Sequence, residues 1–302
     1  MTEFIVSTET YNADTEADQL QTSLDDKRFE SPSIRQRISY ALTNPGKNYL
    51  IPRFLLRSLL KTSRSPLIAE SFVRPGGWRS MEIVYKNAPT VDWLDRQALK
   101  DNPITMAARN RRTIVIKRLT RLIQEQGSTG DVTLLGIGAG PGRLLQTAMA
   151  NSKIELPHIS AYVIDLDADA FPYGRELAAS FGLLDQVRFI HGDARRIGDT
   201  LPGVSVNIAK LVGIIEYLDD LQLIEMLSTV RAVMVPGGSL VTHGFVDKYG
   251  TGRFFARVFG LNHHQRDAEY LTDILVNNGF RVAECEYEPT GIHPIITAVR
   301  VD

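Results

Sequence analysis

Residues Val132–Leu145 read VTLLGIGAGPGRLL. The stretch opens as an apolar run of the length of a buried parallel strand, breaks at a glycine turn, and restarts as a helix. Gly136, Gly138, Gly140 and Gly142 alternate there with Ile137, Ala139 and Pro141. Glycine accepts positive φ and carries no Cβ, so a ligand can lie directly against such a backbone. Pro141 suits the first helical turn, where its missing N–H would have had no intrahelical partner. The N–H groups and positive dipole end of that helix offer a site for a carboxylate or phosphate.

The spacing excludes two nucleotide sites. A dinucleotide fingerprint needs glycines at i, i+2 and i+5. Counting from Gly136 the third position is Pro141, and from Gly138 it is Arg143. No GxxxxGK[ST] occurs, so a P-loop is excluded too. What remains is G-x-G-x-G, which resembles the S-adenosylmethionine site of class I methyltransferases.

At 302 residues the chain can bury a full core and is expected to form one large domain with an appendage. The single cysteine, Cys285, excludes an internal disulfide and a cysteine-rich metal cluster. The first residues, MTEFIVSTET, have neither the basic start nor the apolar core of a secretion signal. No uncharged apolar run approaches the ~20 residues of a membrane span, so the cytoplasm is the expected compartment.

Net charge is −1, but it is unevenly spread. Residues 1–30 carry 8 acidic and 2 basic side chains, and residues 31–130 carry 18 Lys or Arg against 6 Asp or Glu. The rest of the chain is acidic. Either the basic front half complements the acidic back half at an internal interface, or it meets an anionic substrate or partner. We favour the first.

Residues 1–30 read as a mobile acidic tail. Residues 31–126 read as a helical cap. Ser31 or Ser33 caps a helix bearing Ile34, Ile38 and Leu42. Tyr49–Leu60 then shows an apolar face and a cationic stripe of Arg53, Arg57, Lys61 and Arg64. That stripe is a solvated face or a surface for phosphate or lipid headgroups. A loop follows at Phe72–Trp78, then a short apolar piece at Met81–Tyr85 and a helix capped by Thr90. Pro103 opens a long helix whose buried side is Ala108, Ile114, Leu119, Leu122 and Ile123, with Arg111, Arg112, Lys117, Arg118 and Arg121 as its charge.

From residue 127 strands alternate with helices, which predicts a doubly wound α/β sheet. The expected strands are Val132–Ile137, Ala161–Asp165, Val187–His191, Val204–Leu211 and Ser239–Gly244. An antiparallel hairpin of Arg281–Glu288 and Pro294–Val301 closes the chain. Five parallel strands and that hairpin make a seven-stranded, mostly parallel sheet, which is the class I methyltransferase layout.

The resemblance implies S-adenosyl-L-methionine as cofactor, and it carries binding roles to particular residues. The turn contributes Gly136, Gly138, Gly140 and Gly142. Asp165, with Leu166, ends the second strand, where a carboxylate accepts both ribose hydroxyls. Asp193 follows the third strand, where the family's aspartate meets the adenine amine and the next backbone N–H, that of Ala194, meets the ring. Gly213 follows the fourth strand within VGIIEYL, which resembles the Gly-x-x-x-Tyr-Leu of small-molecule members. One position departs from the pattern: many members carry an acid before the glycine run, and here that place is Gly136.

Methyl transfer needs positioning and desolvation, and a base only for a protonated acceptor. Tyr217 and His243 are the candidate catalytic residues, with Glu216, His263 and His264 as alternatives. The expected substrate is a small organic molecule, anionic or acyl-type, under the basic cap. An RNA methyltransferase gripping a polyanion through the cap, and a non-catalytic nucleoside-binding protein, are the competing readings. No metal motif is present.

Overall fold

The structure, a computed structural model, describes residues 29–155 and 158–302. Most of the acidic tail expected at 1–30 therefore lies outside the described residues. Glu30 is described, and its carboxylate pairs with Arg109 at 2.6 Å.

Seven strands form one sheet: β1 (Val132–Ile137), β2 (Ile159–Asp165), β3 (Val187–His191), β4 (Val206–Leu211), β5 (Met234–His243), β6 (Phe280–Tyr287) and β7 (Pro294–Arg300). Their order is β3-β2-β1-β4-β5-β7-β6. Only β7 runs against its neighbours, as the hairpin pattern predicts. The order reverses between β1 and β4, and the crevice at such a switch point, beyond the carboxyl ends of the strands, is where an open α/β sheet receives a ligand. β5 begins earlier than expected. Pro236-Gly237-Gly238 is a bulge inside the strand, since pairing with β4 shifts between Val206 and Ile208.

Six helices precede the sheet: α1 (Ile34–Pro45), α2 (Arg53–Leu60), α3 (Pro66–Val73), α4 (Trp78–Lys86), α5 (Trp93–Leu99) and α6 (Pro103–Gly127). A capping box between Ser33 and Gln36 starts α1. The helix expected over Tyr49–Leu60 starts only at Arg53, because Pro52 disfavours a helical Ile51, whose ψ is 126°. A five-residue π turn, Gly46–Leu50, precedes that break. The piece at Met81–Tyr85 lies within α4, and Asp92 rather than Thr90 caps α5. The helices α7 (Arg143–Ser152), α8 (Phe171–Ser180), α9 (Asp220–Val233), α10 (Thr251–Phe259) and α11 (Ala268–Asn277) are interleaved with the strands.

The long helix α6, counted above with the cap, lies against the sheet and α7. Its predicted apolar side is buried, but so are Arg111, Arg112 and Arg118. Arg118 pairs with Glu286 at 2.7 Å and donates to the Ile295 carbonyl at 3.1 Å. Arg121 pairs with Glu284, and Arg74 with Asp169 at 3.0 Å. Arginines of the positive front half thus meet carboxylates of the negative back half inside one molecule. Leu67, Val84 and Leu99 from the early helices share a hydrophobic cluster with Leu134, Leu145 and Ile208 of the later fold. By contrast α1 buries only Tyr40, and α2 only Leu56.

Candidate active site

The turn after β1 takes positive φ at Gly138 (53°), Gly140 (54°) and Gly142 (74°), a path that L side chains resist. Asp165, the last residue of β2, fixes it. Its Oδ2 accepts the Gly140 N–H at 2.6 Å, and its Oδ1 accepts the Asp167 N–H at 2.8 Å. Each oxygen keeps a further lone pair for a ligand hydroxyl.

The glycines also serve packing. A Cβ on Gly138 would meet Ile214 Cγ2 at 2.3 Å, and one on Gly140 would meet Trp78 Cβ at 2.9 Å. The departure at Gly136 has the same cause, because a Cβ there would stand 2.4 Å from Leu145 Cδ1 and 2.9 Å from Ala139 Cβ. No carboxylate fits. Gly136→Asp is therefore expected to lower stability by about 1–3 kcal/mol, measured by urea unfolding, rather than to supply the acid that the resemblance would place there.

Between this turn and the segment Pro75–Tyr85 lies a cavity of about 310 Å³. That is within the range of small-molecule sites. Of the residues predicted from sequence, Gly138, Gly140, Asp165, Gly213 and Tyr217 line it, and Gly136, Gly142, Leu166, Asp193, Ala194 and His243 do not. Gly136 is inside the sheet, paired with Val163 and Lys210. The Leu166 side chain is exposed. Asp193 is claimed by Arg195, which bonds its Oδ2 at 2.5 Å and holds its carboxyl below the usual range. Ala194 is packed into the core on the other side of the sheet.

Sequence reasoning missed Trp78, Glu82, Arg111 and Lys210, which also line the cavity. Glu82 comes from α4 and pairs with Arg143, at the start of α7, at 2.5 Å, so a buried ion pair ties the early helices to the glycine turn. Lys210, on β4, lies directly opposite Gly136 of β1. It is 4 % exposed, and neither a hydrogen bond nor an ion pair holds it among the described residues. Burial and the neighbouring Arg111 push its ammonium down to about 8.

Behind Lys210 lies a buried charged network. Arg111 Nη1 is 3.3 Å from Glu216 Oε1 and 3.1 Å from His243 Nε2. The Gly213 N–H donates to His243 Nε2 at 3.0 Å, while His243 Nδ1 is 2.8 Å from the Gly244 carbonyl. The same Nε2 lies 3.2 Å from Glu216 Oε2. Burial and Arg111 push the His243 pKa down. Burial opposes charge on Glu216 too, but His243 and Arg111 beside it outweigh that and hold the carboxyl well below the usual range. Tyr217 closes the wall. Gly76, at φ 73°, leaves room for its hydroxyl, which a Cβ would approach to 2.6 Å. Burial raises the Tyr217 pKa, so its hydroxyl stays protonated.

A family model described as "Putative methyltransferase" matches residues 71–259. No curated protein matches the chain. Among solved structures, a Bordetella parapertussis protein described as a possible exported protein aligns with a TM-score of 0.69 at 16 % identity, over 99 % of this chain and 100 % of that one. The magnesium protoporphyrin IX methyltransferase of Synechocystis PCC 6803, with bound SAH, aligns with a TM-score of 0.52 at 14 % identity, over 74 % of this chain and 93 % of its own. An O-methyltransferase family protein from Burkholderia thailandensis gives 0.50 at 13 % identity, over 78 % and 72 %. At these identities the likeness is one of fold.

Proposed function

We infer the reaction from one premise: the chain belongs to the methyltransferase family whose model covers residues 71–259. On that premise we propose that it moves a methyl group from S-adenosylmethionine to a small, negatively charged acceptor. The observation that carries this reading is the make-up of the cavity wall, which joins the glycine turn and Asp165 to the cations of Arg111 and Lys210.

The residues present fit the cofactor. Asp165 has acceptor capacity left for two ribose hydroxyls beyond its bonds to Gly140 and Asp167. The turn it fixes offers backbone to the methionine end, where Gly136 provides no acid. When bound, the cofactor supplies a methyl group on a positively charged sulfur that leaves as a neutral thioether.

The chain then has to bind, orient and keep water out. Arg111 and Lys210 hold the acceptor's anionic group, an interaction strengthened by their burial. Tyr217 packs against Gly76 and excludes water from the reacting end. His243 is a positioning residue: its Nε2 stands within hydrogen-bond distance of the Gly213 N–H, Arg111 Nη1 and Glu216 Oε2, and it holds the three in place. An acceptor that arrives as an anion is already a nucleophile and needs no general base.

The test is calorimetry with S-adenosylhomocysteine. Asp165→Ala is expected to weaken binding by about 1–3 kcal/mol, roughly five- to 150-fold, the value of lost charge-assisted hydrogen bonds. Asp193→Ala, measured beside it, reports whether the adenine contact implied by the resemblance is made once Arg195 competes for that carboxylate. No binding by the parent chain would overturn the proposal.

A further inference from the structure

The charged and apolar features described so far are absorbed by the core or the cavity, with one exception. Nine of the exposed large apolar side chains among the described residues fall between Ile34 and Leu59. Ile34, Ile38 and Leu42 recur every fourth residue on α1, and are 76, 55 and 76 % exposed. Leu50, Phe54 and Leu59 continue the series through the π turn and α2 at 78, 69 and 53 %. On an ordinary surface helix that stripe would face the core. Here it faces outward.

The charges beside it decide what covers it. Residues 31–64 contain seven Lys or Arg and no Asp or Glu. Elsewhere in the front half, arginines such as Arg111 and Arg118 find carboxylates, but in this stretch the described structure gives none an acidic partner. Arg57 instead donates to the Val258 carbonyl at 2.5 Å and stacks on Phe72. Exposed Leu, Ile and Phe with cations alongside them, on short helices of 12 and 8 residues, match the composition of helices that lie in a bilayer interface. No helix among the described residues is long and apolar enough to cross a membrane.

We propose that α1, the π turn and α2 dock on the surface of an anionic lipid bilayer, with the apolar residues entering the headgroup boundary and Arg35, Arg53, Lys61 and Arg64 contacting lipid phosphates and carboxylates. The unbroken positive charge selects this occupant, because a second copy would set these cations against one another. The surface also adjoins the site. It is fastened to α10 by the Arg57–Val258 bond, and Leu261, three residues beyond Val258, lines the cavity. A bound chain would so hold its cavity beside the membrane. This docking does not depend on which acceptor the cavity takes.

The experiment is co-sedimentation of the full chain with vesicles of phosphatidylcholine containing roughly a quarter phosphatidylglycerol, at about 0.1 M salt, with pure phosphatidylcholine vesicles and about 1 M salt as controls. The expected result is binding to the anionic vesicles, lost in both controls. Leu50→Glu/Phe54→Glu should weaken it at least about tenfold, without changing the melting temperature or S-adenosylhomocysteine binding. A parent chain that leaves anionic vesicles unbound overturns the proposal, as would happen if the chain's own acidic first residues covered the face. Equal binding by the double variant overturns it too. A parent that sediments as a dimer without vesicles, and a variant that does not, would assign the face to a second copy and overturn it as well.

Discussion

Glu216→Leu is expected to cost about 3–5 kcal/mol in urea unfolding, although Glu216 does not touch the cavity. The side chain is 6 % exposed and is the carboxylate that faces the fully buried Arg111. Lys210 lies in the same region and is repelled by Arg111. Without Glu216, the buried Arg111 loses its paired carboxylate beside a second buried cation, and that penalty rather than the worth of the pair sets the size of the loss. Glu216→Leu/Arg111→Met should recover most of it, because apolar groups of similar size often replace a buried pair at little cost. The pH dependence follows from the lowered carboxyl of Glu216. Its contribution is fully present above the ordinary glutamate range and disappears as pH falls toward the folded-state value. The gap between parent and leucine variant should therefore narrow in acid. Equal stability of the two proteins at neutral pH would show that Arg111 is not held by this carboxylate.

How the sequence betrays the fold, and where it goes silent, follows from the range of the interactions. The stretch Val132–Leu145 needs only local rules: an apolar run, glycines where φ turns positive, and a helix start. The same rules locate Asp165, whose carboxylate then accepts the Gly140 N–H and fixes the turn. Lys210 is different. In VNIAKLV it is one charged residue within an apolar strand, and only the register between β1 and β4 places it opposite Gly136. The arginines of α6 mislead for a related reason. Charges at helical spacing read as a solvated face, yet α6 is enclosed on nearly every side, and its guanidinium groups reach carboxylates more than 100 residues away. At Asp193 the strand end is found correctly, but the pairing with Arg195 two residues on lies outside any strand-end rule.

Lys210→Met is the substitution that separates the two roles of this wall. Burial and Arg111 move the lysine from its ordinary 10.5 to about 8 in the folded chain. At 1.36 kcal/mol per pH unit that gap is a penalty of roughly 3 kcal/mol borne by the ligand-free fold. A folded value below the unfolded one means that the penalty is fully present below about pH 8 and fades as pH rises to the unfolded value. The parent should therefore gain stability across that window while the methionine variant, similar in length and apolar, stays flat. At pH 7 the variant should be the more stable by about 3 kcal/mol, and near pH 10.5 the two should coincide. A fold that retains such a cost retains a cation for an anion to meet. Calorimetry with S-adenosylhomocysteine and with methylthioadenosine, which lacks the amino-acid end, identifies that anion. Weaker binding of the first alone assigns Lys210 to the cofactor's carboxylate. Unchanged binding of both, with a raised KM for anionic acceptors, assigns it to the acceptor. A variant that is no more stable than the parent and binds every ligand equally would remove Lys210 from the site.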